Sequence, residues 1–176
     1  RLFRTFKDIE KFKKLNFIKD IEYIFVDDGS TDNSIKKIND FFKNKKNFNF
    51  KVVKIKTNTG KGYALKTGVI KAKKDWILTL DVDISVSLLQ IKKWLNKKLI
   101  NNKNVVYFGS RNLKNSDIEF KFHRKILGII FSFLLNILFN INIKDTQCGF
   151  KLYKKKIAKR IFKNIKDTGF VHDVEV

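Results

Sequence analysis

Four short apolar runs recur along the chain, and each one leads into a polar cluster. Glu22-Tyr23-Ile24-Phe25-Val26 enters Asp27-Asp28-Gly29-Ser30-Thr31-Asp32, and residues 51–55 precede Asn58-Thr59-Gly60-Lys61-Gly62. Trp76-Ile77-Leu78-Thr79-Leu80 enters Asp81-Val82-Asp83, and residues 105–108 end at Gly109-Ser110-Arg111. Between these strand candidates the apolar residues change to helical spacing. Ile35, Ile38, Phe41 and Phe42 mark one helix, with Ser30, Thr31 or Asp32 on offer as its N-cap. Ala64, Leu65, Gly68, Val69 and Ala72 mark a second, and Leu88, Leu89, Ile91, Trp94, Leu95 and Leu99 a third. Repeated strand–helix alternation predicts an α/β fold: a mostly parallel sheet covered by helices. Ligands of such sheets bind beyond the carboxyl ends of the strands, where all these polar clusters fall. No Gly/Ser/Pro linker and no internal repeat divides residues 1–176, so the sequence reads as a single domain.

The net charge of +22 suggests a nucleic-acid binder at first sight. However, the lysines are spread along the whole chain, Arg is scarce and Pro is absent. That bias fits an A/T-rich genome and a solvated lysine surface, and no nucleic-acid partner is expected. Such a surface still attracts nucleotides and anionic lipid heads. The single cysteine, Cys148, forbids an internal disulfide and suits a reducing compartment. The absence of Met, even at position 1, predicts a fragment or a trimmed chain. Residues 126–143 are the most apolar segment, yet Ser132, Asn136 and Asn140 recur at spacing four. The segment reads as an amphipathic helix, packed on the core or lying in a membrane interface.

The polar clusters carry distinct chemistry. Asp81 and Asp83, two apart on an extended strand end, would point the same way and could reach one hard divalent cation. The alternative is a helix cap and a surface pair. Asp27 and Asp28 can accept from a ribose or a base edge. The glycines around Lys61 allow close backbone approach, and Lys61 could meet a phosphate, although the spacing is not that of a Walker A loop. Arg111 and Arg124 offer the planar fork that suits phosphate. Cys148 has no nearby His to activate it. Asp173 and Glu175 read as catalytic or charge-positioning carboxylates, or as a solvated terminus.

Taken in order, VDDGSTD, NTGKGYALKTG, LDVDIS, GSR, an Arg-led helix, DTQCGFK and HDVEV resemble the family 2 glycosyltransferases of GT-A fold. The likeness is to their polyprenyl-phosphate and dolichyl-phosphate branch, and DTQCGFK leans toward its glucosyl members. The resemblance implies an inverting transfer of a hexose from a nucleotide sugar, UDP-glucose before GDP-mannose, to a polyprenyl or dolichyl phosphate. It implies that Asp27, Asp28, Gly29 and Ser30 contact the donor nucleoside. Asn58, Gly60 and Lys61 would sit at its phosphates, and Asp81 and Asp83 would hold Mg²⁺ or Mn²⁺. Arg111 and Arg124 would hold the acceptor phosphate. Gln147, Asp173 and Glu175 would lie around the reacting centre.

The resemblance also implies a location on the cytoplasmic face of a membrane. It places a further central strand ahead of Arg1 and more chain after Glu175, and it puts Ser85 where some relatives carry another metal-site residue. Two other readings compete. One is a family 2 transferase with another acceptor, such as a cell-surface polysaccharide. The other is a non-catalytic membrane-surface or RNA-binding protein, which would interleave basic and aromatic residues on one exposed face.

Overall fold

A computed structural model describes residues 2–101, 104–109, 148–169 and 172–176. The chain opens with α1 (Leu2–Lys14), β1 (Glu22–Asp28), α2 (Ser34–Phe42) and β2 (Asn49–Ile55). It continues through α3 (Lys61–Lys71), β3 (Trp76–Thr79), α4 (Leu89–Asn96) and β4 (Val106–Phe108). The last elements are β5 (Lys151–Lys154), α5 (Lys155–Asn164) and the short α6 (His172–Glu175).

The strand–helix alternation expected between residues 22 and 108 is present, with shifted boundaries. β1 runs on through Asp27 and Asp28, and β3 stops at Thr79. Four elements escaped the sequence pattern: α1, β5, α5 and α6. In α1, Thr5, Ile9 and Phe12 bury one face. In α5, Ala158 and Phe162 do the same. The N-cap of α2 is Asn33, which makes no side-chain cap bond, rather than Ser30, Thr31 or Asp32. Asp32 bonds to the Ser34 side chain and accepts from the Ser34 N–H at 2.9 Å, and these two bonds hold its exposed carboxyl below the usual range. The amphipathic segment 126–143 lies outside the described residues. Among the described residues no helix is long and apolar enough to cross a membrane.

β1 and β2 pair in parallel, from Glu22 opposite Asn49 to Asp28 opposite Ile55. β5 departs from the expected parallel order. It lies between β3 and β4 and runs antiparallel to both, with Thr79 and Phe108 each opposite Lys151. Because one strand is antiparallel to both neighbours, β3 and β4 share a direction. The carboxyl ends of β3 and β4 therefore lie beside the start of β5. β1 pairs only with β2 and β3 only with β5, so the described strands form two sheets. A cavity of about 1780 Å³ lies between β1 and β3, lined along both strands and by Ala64, Leu65, Gly68 and Val69 of α3.

The larger core is aromatic. Phe42 is 2% exposed, stacks on Phe50 at 4.5 Å and meets Phe41 and Phe48 edge-on. The second core joins α3 to α5 through Val69, Ala72, Ile77, Tyr153, Ala158 and Phe162. Burial pushes the Tyr23 phenol up to about 12. Burial, and then the nearby charge of Asp173, raise that of Tyr153 still further.

Two outcomes follow from this packing. Phe42→Ala should lower unfolding free energy by about 3–5 kcal/mol, read as a reduced urea midpoint at unchanged slope. The raised phenols bind their protons more tightly in the folded state than in the unfolded one. Their contribution is intact below pH about 10 and is lost as pH rises through the folded value, so unfolding free energy measured by urea should fall from pH about 10 toward 12.

Candidate active site

The last residue of β1 organises the site. Asp28 Oδ1 accepts from the Thr59 N–H at 2.9 Å and from the Thr59 hydroxyl at 2.8 Å, and Oδ2 accepts from the Gly60 N–H at 2.8 Å. One carboxylate thus fixes the loop between β2 and α3. Gly60 takes φ +102°, and a Cβ built there would lie 2.3 Å from the Thr168 carbonyl oxygen. That close approach lets the first turn of α3 donate outward: Gly62 N–H to Gly169 O at 3.1 Å and Tyr63 N–H to Thr168 O at 3.2 Å. Glu175 in turn holds the 165–169 loop, its carboxylate accepting from the Lys166 N–H at 2.9 Å and from the Asp167 N–H.

These bonds bear on what the loop and Glu175 can offer a ligand. Thr59, Gly60, Gly62 and Tyr63 already spend their N–H groups within the protein. What the NTGKG loop offers to a phosphate is therefore the Lys61 ammonium rather than a cradle of those amides. Glu175 is engaged with backbone amides on an exposed loop. Asp28 is largely committed to its own loop, whereas Asp27, 7% exposed, accepts only a 3.3 Å bond from the Ser30 N–H in the described hydrogen-bond set. Gly29, at φ +72°, backs onto Thr57 and Asn58, where a Cβ would sit 2.6 Å from the Asn58 nitrogen. Ser30 and Asn58 are exposed at the rim.

Lys61 reaches across the gap between the sheets. Its Nζ lies 2.9 Å from Asp81 Oδ1 and 3.4 Å from Asp173 Oδ2. Burial works against the ammonium charge, but the two carboxylates outweigh it and hold Lys61 above the ordinary lysine value. Asp81 rests on Gly149, where a Cβ would lie 2.5 Å from Oδ2. Beyond Asp81 the backbone turns, closed by the Ile84 N–H on Asp81 O at 3.0 Å, with Ile84 at φ +47°. The period-two reasoning for Asp81 and Asp83 therefore lacks its extended strand: Asp81 is tied inward to Lys61, and Asp83 is exposed within the turn.

Helix α1 buttresses this turn. The Thr5 hydroxyl donates to Val82 O, and Asp8 accepts from the Ser87 hydroxyl at 2.6 Å and the Leu88 N–H at 2.7 Å. Sequence reasoning missed these contacts, which join positions about 80 residues apart.

Among the described residues no three His, Cys, Asp or Glu side chains gather into a metal site. Asp81 is one-third exposed and has an ammonium as its counter-cation. The carboxylate oxygens of Asp81 and Asp83 are the donor type that a hard divalent cation prefers, and two residues alone would leave most of its coordination to a ligand such as a diphosphate. Asp27, Asp28, Lys61, Asp81 and Asp83 all line the cavity between the sheets. Arg111, Arg124 and Gln147 lie outside the described residues.

Gly60→Ala should cost about 1–3 kcal/mol or more for a conformation nearly restricted to glycine, since its Cβ would also strike Thr168. A lowered thermal midpoint, with loss of amide-exchange protection at Gly62 and Tyr63, would show it.

The family model "Glycosyl transferase family 2" matches residues 3–162. The dolichyl-phosphate beta-glucosyltransferase of Dictyostelium discoideum is 32% identical, covering 100% of this chain and 57% of the relative. The human protein of that name is 31% identical over 96% of this chain and 54% of its own length. The Saccharomyces cerevisiae one is 29% identical over 100% and 57%. The chain spans about half the length of these curated relatives. With a match across 160 of its residues and polar clusters gathered at the carboxyl ends of β1, β2 and β3, the chain belongs to glycosyl transferase family 2.

Proposed function

We propose that this chain forms the donor-binding part of an inverting hexosyltransferase that uses a nucleotide sugar, UDP-glucose before GDP-mannose, and a dolichyl or other polyprenyl phosphate. The observation that carries the reading is the meeting of Lys61 and Asp81 at 2.9 Å in the cavity between the sheets of a family 2 chain. The names of the relatives support glucose as the sugar and dolichyl phosphate as the acceptor. GDP-mannose is the second donor to test.

In this reading Asp27 accepts from the donor nucleoside, and Asp28 holds the loop that presents Lys61. Lys61 supplies fixed positive charge at the diphosphate. Asp81 and Asp83 hold Mg²⁺ or Mn²⁺, which when bound neutralises charge on the departing nucleoside diphosphate. An oxygen of the acceptor phosphate, already anionic, attacks the anomeric carbon from the face opposite the leaving group. The new C1–O bond forms as the C1–O bond to the diphosphate breaks, inverting that carbon and releasing the nucleoside diphosphate. No strong general base is required. Arg111 and Arg124 are assigned to the acceptor phosphate, and the lysine-rich surface to the membrane face that carries the lipid.

The test uses the protein expressed with whatever sequence flanks this chain in its gene. Labelled UDP-glucose or GDP-mannose is incubated with dolichyl phosphate and Mn²⁺, with or without chelator, beside Asp81→Asn. Label should enter lipid from one donor and stop with chelator. In Asp81→Asn the rate should fall about a hundredfold or more, the equivalent of several kcal/mol of lost charge stabilisation. A folded protein that transfers from neither donor would overturn the reading.

A further inference from the structure

Lys151 is a buried lysine that the reading above leaves without a task. It sits on β5 among buried neighbours (Cys148, Phe150, Leu152 and Tyr153) and its residue is 2% exposed. Its Nζ lies 2.7 Å from Asp173 Oδ1 and 3.4 Å from Asp173 O. The other carboxylate oxygen, Oδ2, faces Lys61. Four side chains therefore alternate in charge: Lys151, Asp173, Lys61, Asp81. Their exposures rise in that order, 3%, 6%, 21% and 33%, from the core to the cavity mouth.

A buried ion pair is poor value for stability alone, because desolvation consumes most of the attraction. Its position suggests a different use. Asp173 has one oxygen turned to each ammonium, so Lys151 satisfies the inner half of the carboxylate and leaves the outer half for Lys61. Without Lys151, more of the pull of this buried carboxylate would fall on Lys61 and draw it inward. Without Asp173, Lys61 would depend on Asp81 alone.

Resting on the donor reading above, we infer that Lys151 and Asp173 are a pair of positioning residues that seat the Lys61 ammonium at the cavity mouth for a donor diphosphate. Asp173 then works as a seat for Lys61 rather than as a base. Neither Lys151 nor Asp173 touches the substrate in this scheme; both act through Lys61.

The experiment measures UDP and GDP binding by calorimetry with Mg²⁺, together with kcat and KM for the donor and the thermal midpoint. It uses the protein with its native flanking sequence. The variants are Lys151→Met, Asp173→Asn and Lys61→Met, singly and combined. Lys151→Met should weaken nucleoside diphosphate binding by about tenfold to a hundredfold and raise donor KM. The same change in a Lys61→Met background should alter binding less than about twofold, since residues acting through one group are not additive. A merely structural pair would lower the midpoint and weaken binding equally in both backgrounds.

If Lys151→Met does not fold, the charge-neutral pair Lys151→Met with Asp173→Asn carries the same comparison with and without Lys61. Native-like binding in folded Lys151→Met, or equal losses in both backgrounds, would overturn the inference and leave the donor reading intact. Failure of the unmodified protein to bind either diphosphate would overturn both.

Discussion

The site depends on one carboxylate at the end of one strand. Asp28 gathers two backbone N–H groups and a hydroxyl from the loop after β2. Charge-assisted bonds of this kind are the stronger class, and a carboxylate that accepts three of them fixes its donors closely. The consequences run outward from there. Gly60 is held at a φ that other residues avoid, α3 begins at Lys61, and the first amides of α3 turn to the 168–169 carbonyls rather than to a ligand. Asp28 thus shapes the presentation of Lys61 without touching it.

Electrostatically the site is balanced before any ligand arrives. Lys61 answers Asp81 and Asp173, and Lys151 answers the buried side of Asp173. The two sheets contribute different members. Lys61 begins α3, which packs on β1, while Asp81 follows β3 and Lys151 opens β5. A divalent cation on Asp81 would compete with Lys61 for one of the two carboxylates that hold it and leave the other, Asp173, in place.

Much of this was legible in the sequence, and the exceptions have physical causes. The middle of the chain announces itself because strand and helix periods alternate there with polar clusters at fixed places. Asp27 and Asp81 stand out because they end apolar runs, and Lys61 because glycines flank it. β5 was illegible because only four residues pair and two of them are lysines, of which Lys151 reads as exposed until its counter-ion is found 22 residues on. The turn at Asp81–Ile84 was illegible for a different reason: a β-branched residue at positive φ is what local preference disfavours, and the hold of α1 on Val82 and Ser87, distant in sequence, supports it. Asp28 stands out at the end of an apolar run, but its donors belong to a loop 31 residues away.

The gap between the sheets has a mechanical consequence. β1 and β3 exchange no ladder bonds, and α3 packs on both of them as well as on α5. Helix α3 is therefore the element that the two sheets share, and Lys61 at its start ties them together across the opening through Asp81. A ligand that draws Lys61 off Asp81 also removes that tie.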